Sequence, residues 1–274
     1  MPKWISVLSD MMSYTFIVRA MIVGGLVALC SALLGVSLVL KRYSMIGDGL
    51  SHVAFAALTI AVAMNVAPLY ISTPIVTVAA IILLRLSENS KIKGDSAIAL
   101  ISTVSIAIGV VVTALTKGMN TDVYSYMFGS ILAMSESDVY MSIALSVVVI
   151  ILFVFFYNKI FAVTFDESFA KATGTRADAY NMIIAVLTAI TIVVGMRIMG
   201  TMLISSLIIF PALISMRNFK TFKSVIICSA IVSVVCFLLG IILSYLYSIP
   251  TGASIVLVNT VALILSYLIG ELRH

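Results

Sequence analysis

Charge is scarce in this chain. Asp, Glu, Lys and Arg make up 10% of its 274 residues, against about 25% in soluble globular proteins. That scarcity excludes an ordinary water-soluble domain. A basic stripe interleaved with aromatics is also missing, so the net charge of +5 does not point to nucleic acid. Cysteine is confined to Cys30, Cys228 and Cys236, all inside apolar runs and none in CxxC spacing. They form no disulfide framework, and the three read as small packing residues. The chain contains no GxxxxGK[ST], no HExxH and no GxSxG. It therefore binds no nucleotide through a P-loop and carries neither of those hydrolytic centres. No catalytic residue and no permanently bound cofactor are expected. The first thirteen residues, with Trp4 and Asp10, lack the basic region and small-residue cleavage site of a signal peptide. They read as an interfacial lead-in, to which Trp4 and Tyr14 are suited.

What the chain has in abundance is apolar sequence, 62% of all residues. Several runs reach the roughly 20 residues that cross a bilayer. They are continuous rather than alternating, which excludes an outer-membrane barrel. The fold class is all-α: one polytopic helical membrane domain over residues 1–274, with eight or nine transmembrane helices. The expected spans are 14–40, 43–64, 70–85, 96–116, 139–157, 180–196, 198–216, 224–247 and 254–270. Met196-Arg197 barely separates the sixth from the seventh, so the number falls to eight if one of them is re-entrant. With the N-terminus outside, twelve Lys and Arg face the cytoplasm and only Lys3, Arg19, Lys117 and Arg197 do not. This positive-inside bias gives a multi-pass membrane protein with a cytoplasmic C-terminus. Residues 117–138 then lie outside, with Asp122, Glu136 and Asp138, and residues 158–179 lie inside. The inner segment has acids, then Ala and Lys, then Gly174, the pattern of one short surface helix. In the first span, Gly24, Ala28 and Ala32 form a small-residue ridge for helix packing. Pro211 interrupts a span whose Ser205 and Ser206 are placed to satisfy freed backbone groups.

Two ionisable residues stand inside apolar sequence, Asp48 and His52 in Gly47-Asp48-Gly49-Leu50-Ser51-His52. Their i, i+4 spacing puts both on one helix face, with Ser51 beside them. A carboxylate at membrane depth is costly and marks a functional site by default. Such a pair can bind a divalent cation or relay a proton. Alternatively it is a helix-terminus pair near the interface, held by Arg42 and the helix dipole. A proton-coupled carrier spreads acids over several spans, often in both halves of a repeat, and this chain has one cluster. An intramembrane protease would need a second aspartate or further zinc ligands. Met45, Met196, Met199 and Met202 read as packing residues.

Five segments together resemble the zinc/manganese ABC importer permeases. They are Leu40-Lys41-Arg42 leading into Gly47-Asp48 and Ser51-His52; Phe128-Gly129-Ser130-Ile131-Leu132; Asp166-Glu167-Ser168-Phe169-Ala170-Lys171-Ala172-Thr173-Gly174; the stretch from Met199-Gly200-Thr201 to Phe210-Pro211-Ala212; and Pro250-Thr251-Gly252-Ala253-Ser254. They occur in family order from about residue 15 to 270. The resemblance implies a homodimeric permease, a separate cytoplasmic ABC ATPase and a separate extracytoplasmic metal-binding protein. It implies a metal site at Asp48 and His52, and an ATPase-coupling segment at Asp166, Glu167, Ala170 and Gly174. Some manganese-type members look as if they complete the site with Glu and His on a late span. The eighth span here, Ser224 to Tyr247, has Cys228, Cys236, Ser233 and Ser244 instead. That departure favours zinc, which accepts few ligands and tolerates His and Cys, over manganese or iron. A single Asp-His cluster also favours a naked ion over a chelate. A stand-alone secondary metal carrier is the alternative from another class.

Overall fold

The computed structural model describes residues 11–89, 94–116, 135–200 and 204–272. Among them the chain is helical with no strand. In order, the helices are α1 (Thr15–Leu40), α2 (Ile46–Ala63), α3 (Pro68–Asn89), α4 (Gly94–Leu115), α5 (Glu136–Phe155), α6 (Tyr157–Phe165), α7 (Glu167–Ala172), α8 (Ala177–Met199), α9 (Ile204–Asn218), α10 (Phe222–Tyr247) and α11 (Thr251–Leu272). Eight are long and apolar enough to cross a membrane; α9 is apolar but only 15 residues long. At 1.5 Å per residue it reaches about 22 Å, short of the roughly 30 Å hydrocarbon core. The expected weak point around 180–216 thus resolves into one full span, α8, followed by a shorter helix.

The helices are arranged around α1. This helix packs against α10, α9, α8 and α5, while α2 packs against α4, α3 and α8. In lipid, apolar side chains gain little from leaving one apolar medium for another, so close backbone approach drives association. The small-residue ridge of α1 serves that purpose. A methyl at Gly24 would collide with the Phe237 ring of α10, and one at Gly35 with the Ile208 carbonyl of α9. Between them, Ser233 Oγ donates to the Ala28 carbonyl at 2.8 Å and Ser229 Oγ to the Ala32 carbonyl at 3.4 Å. Cys30 is buried and donates to the Ser146 carbonyl of α5 at 3.5 Å. All three cysteines are free. Met196 and Met199 are fully buried, as packing residues should be.

Ion pairs mark both ends of α1. Arg19 reaches Glu136, the first residue of α5, at 2.5 Å, and Lys41 reaches Glu167 of α7 at 3.3 Å. Twenty-two residues separate Arg19 from Lys41, about 33 Å of helix, close to the thickness of the hydrocarbon layer. The remaining charges of α5's first turn are used locally. Ser135 caps α5 by accepting from Asp138 N, and the Asp138 carboxylate accepts in return from Ser135 N. Other residues of 117–134, including Asp122 and the Phe128–Leu132 segment, lie outside the described residues.

The expected short helix of the inner segment is α7: Asp166 adopts extended backbone (φ −147°) and starts it by accepting from Phe169 N at 2.9 Å, and a further helix, α6, precedes it. One expectation needs correction. In α9, Ser205 Oγ is buried with no hydrogen-bond partner among the described residues, so it does not relieve the backbone freed by Pro211.

Helices α1 and α7 end alike. Tyr43 N donates to the Leu38 carbonyl at 2.8 Å and Arg42 N to the Val39 carbonyl at 3.1 Å. Thr175 N donates to the Ala170 carbonyl at 2.9 Å and Gly174 N to the Lys171 carbonyl at 3.1 Å. Both are 6→1 and 5→2 pairs that close a helix through one left-handed residue. At α7 that residue is Gly174 (φ +81°); at α1 it is Arg42 (φ +61°), which has a Cβ. A non-glycine residue there costs roughly 1–2 kcal/mol, partly offset by the lower chain entropy of Arg relative to Gly. Arg42→Gly is therefore expected to raise the thermal midpoint of the detergent-solubilised protein, by roughly 0.5–1 kcal/mol in stability. Gly174→Ala is expected to lower it by a similar amount, although a methyl there would meet no other atom within 4 Å. Equal midpoints for both variants would show that backbone strain is not what these turns resist.

Candidate metal site and coupling turn

The first turn of α2 carries Asp48, and the second carries His52. Their facing atoms, Asp48 Oδ2 and His52 Nε2, are 3.8 Å apart. The imidazole is 16% exposed and the carboxylate 41%. Met45 offers no side-chain cap to α2; Ile46 N instead donates to the Tyr43 carbonyl at 3.0 Å, and the Asp48 charge lies in the first turn, where the helix dipole favours it. Arg42 is exposed and makes no ion pair with Asp48, which removes that part of the helix-terminus reading. Ser51 is turned away from the pair: its Oγ donates to the Asp48 carbonyl at 2.7 Å.

Two glycines flank Asp48 and set its depth. A methyl at Gly49 would lie 2.8 Å from Ile98 Cγ2, so α4 is packed against the backbone there. A methyl at Gly47 would lie 3.2 Å from Ile208 Cδ1 and 3.4 Å from Ser205 Oγ of α9. Ile208 also meets Gly35 of α1 through its carbonyl. The start of α2 is thus level with Gly35, about 9 Å along α1 from Lys41 at 1.5 Å per residue. The backbone of α2 is wedged between α4 and α9 here, while the Asp48 carboxylate stays partly exposed. Glycine at 47 and 49 is a signal in the sequence, but only packing partners reveal its purpose.

Among the described residues no third His, Cys, Asp or Glu joins the pair. The face of α10 towards the core presents Ser229, Ser233 and Cys236. One chain therefore offers one carboxylate oxygen and one imidazole nitrogen to a cation, with water or further donors completing the shell.

The other candidate residues fall together in the turn of α6 and α7. Asp166 caps α7, and Gly174 closes it. Ala170 is buried and packs on Val163 and Ala177 in a small core of its own, beside Tyr180. Glu167 faces inward. Its carboxylate accepts from Lys41 at 3.3 Å, from Asn181 Nδ2 at 3.1 Å and from Lys171 at 3.0 Å. Partial burial would raise the Glu167 pKa, but the Asn181 and Lys171 hydrogen bonds and the Lys41 charge outweigh it and hold it at about 2. Glu167 is thus a carboxylate at every physiological pH. Lys171 also reaches Asp178 at 2.9 Å; its bonds to Asp178 and Glu167 raise its pKa, and it stays charged.

These four residues shape the turn from within. Its outer surface is aromatic: Phe165 is 61% exposed and Phe169 65%. Sequence reading missed both, because exposure of an aromatic next to charged residues is a property of the fold. Behind them, Tyr157, Phe161 and Phe165 stack around Phe222 at the base of α10, with ring centroids 5.0–6.1 Å apart.

Comparison with known proteins agrees with this architecture. Residues 13–270 match the model of the ABC 3 transport family. Relatives include a "Probable metal transport system membrane protein" of Treponema pallidum, 30% identical over 93% of this chain and 96% of its own length. The "High-affinity zinc uptake system membrane protein ZnuB" of Haemophilus influenzae is 29% identical, covering 90% of this chain and 95% of itself. The "Manganese transport system membrane protein MntC" of Halalkalibacterium halodurans is 26% identical, over 94% and 88%. Among solved structures, "PsaBC from Streptococcus pneumoniae in complex with Fab" superposes with a TM-score of 0.86 at 26% identity, covering 96% of this chain and 94% of that one. A bundle of eight spans, matched along nearly its whole length by metal transport membrane proteins, belongs to the ABC 3 transport family, the membrane permeases of divalent-metal ABC importers.

Proposed function

We propose that this chain forms the membrane pathway of an ATP-driven importer of divalent metal ions, that zinc is the ion, and that Asp48 and His52 are its intramembrane ligands. One observation carries the reading: a carboxylate and an imidazole face each other at 3.8 Å in the first turns of a membrane-length apolar helix whose flanking glycines admit α4 and α9. The ion is cargo, and no resident cofactor is invoked. Two ligands per chain suit transit, because a site that must release its ion gains nothing from a closed cage. Two copies of the chain, facing across a two-fold axis, would bring two oxygens and two nitrogens to one ion. A set of four mixed N and O donors suits tetrahedral zinc better than manganese, which favours more oxygens. Manganese is the second reading, supported by the names of the relatives, which include manganese as well as zinc systems.

The hydrolysis of ATP belongs to a separate cytoplasmic chain. The turn of α6 and α7 is its docking element, with Phe169 and Phe165 as apolar anchors and Asp166, Glu167, Ala170 and Gly174 holding the shape. An extracytoplasmic metal-binding protein delivers the ion to the other side. The permease works as a homodimer in a bacterial plasma membrane.

Three outcomes test this. Asp48→Asn and His52→Ala are expected to cut metal uptake by at least the roughly 10- to 100-fold seen when a metal site loses even a supporting group. Protein level and dimerisation should be unchanged; normal uptake by both variants removes the site. Phe169→Ala is expected to weaken ATPase binding by about 2 kcal/mol, or roughly 30-fold, as for a buried aromatic anchor. Co-purification with the ATPase measures it, and undiminished binding by a Phe165→Ala, Phe169→Ala double variant would refute docking at this turn. Metal choice is read from cell content. A deletion strain should lose zinc under chelation and recover with added zinc, whereas loss of manganese at constant zinc reassigns the ion and leaves the permease intact.

A further inference from the structure

Lys41 caps the C-terminus of α1, and its side chain is 9% exposed. A buried ammonium needs acceptors, and this one has them on two other elements. It donates to Glu167 of α7 at 3.3 Å and makes a short hydrogen bond to Asn181 of α8. Asn181 is buried and closes the triangle by donating to Glu167. Three elements therefore meet on one cation: the end of the central helix, the proposed docking helix and the start of α8.

From Lys41 the chain runs directly to the metal pair. Residues 41–45 form the turn into α2, stiffened by the Tyr43 and Arg42 backbone hydrogen bonds that end α1. Ile46, the first residue of α2, lines a cavity of about 20 Å³ together with Lys41, Tyr43 and Asn181. Asp48 is two residues further on. A displacement of α7 therefore pulls on Lys41 through a charge-assisted bond, and Lys41 is joined to the first turn of α2 by a braced five-residue turn. Lys171 joins the same group from within α7, bridging Glu167 at 3.0 Å and Asp178 at 2.9 Å.

We propose that Lys41 is the positioning residue that transmits movement of the docking helix to the Asp48–His52 site, through its shared bonds to Glu167 and Asn181. It touches neither ATP nor metal. The inference rests on α7 being the docking element. Lys41→Gln removes the charge while keeping a side chain that can bond Asn181. Glu167 keeps Lys171 and Asn181 as partners, so α7 stays folded and retains its aromatic surface.

The test uses the reconstituted complex of permease, ATPase and metal-binding protein in proteoliposomes. Three quantities are read: ATPase retained on the permease, ATP hydrolysed, and metal transported per ATP. For Lys41→Gln the ATPase is expected to stay bound while metal moved per ATP falls about tenfold, a coupling loss in the range typical of linked sites. Lys41→Arg, which keeps the charge and both donors, should restore most of it. An unchanged ratio in Lys41→Gln overturns the proposal. So does loss of the ATPase from Lys41→Gln, which would make Lys41 part of the docking platform rather than a relay. Failure of the docking reading is seen separately, as full ATPase binding by the Phe165→Ala, Phe169→Ala variant. If Lys41→Gln does not assemble, Asn181→Leu, which cuts one arm of the triangle, decides: a drop in metal per ATP with the ATPase still bound supports transmission through this geometry, and a wild-type ratio overturns it.

Discussion

Helices in hydrocarbon gain little from burying apolar side chains against one another, and this bundle depends on backbone-to-backbone approach along α1. Gly24 receives the Phe237 ring, Gly35 receives the Ile208 carbonyl, and two serines of α10 donate to carbonyls of α1 between them. Everything functional is referenced to that spine. Ile208 links α1 to Gly47 of α2 and so sets how deep Asp48 lies. The same helix presents Lys41 to the cytoplasmic turn and Arg19 to the start of α5.

Charge is handled in two ways. At the membrane faces it is paired and structural: Arg19 with Glu136, and Lys41, Lys171, Glu167 and Asp178 in one connected group. Asp48 faces an imidazole at 3.8 Å, and no Lys or Arg pairs with it among the described residues. Under the proposed reading this leaves the carboxylate open to a cation, and the scarcity of ligands suits an ion that is released after it is taken up.

The coupling turn shows a division of labour between motif residues and contact residues. Asp166, Glu167, Ala170 and Gly174 are turned towards the fold as cap, ion-pair partner, core residue and helix stop. The exposed aromatics Phe165 and Phe169 belong to the outer face. A recognisable signature thus encodes the shape of the turn, while the surface a partner would touch is carried by residues that the signature reading passed over.

Much of this was legible in the order of residues. Continuous hydrophobic runs and scarce charge determine a helical membrane protein, because only helices and closed barrels satisfy backbone polar groups in lipid and a barrel needs alternating strands. Lys and Arg placement carries the expected orientation, and an acid with a histidine at i, i+4 marks Asp48 and His52 as the candidate pair. Family motifs in order carry the ABC permease reading, which the family match supports over a stand-alone carrier. What only the tertiary structure decided is which of the late segments is a full span, where the inner segment breaks, and what each small or charged residue faces. The break at Asp166 depends on one extended residue, not on composition. Glycine at 47 and 49 looks permissive in sequence; Ile98 stands at 2.8 Å from a methyl at 49, and Ile208 at a tight 3.2 Å from one at 47. Lys41 looks like a topology signal in the sequence. That it also joins three elements is decided by distance in space, between residues 126 and 140 positions apart in the chain, which no local pattern encodes.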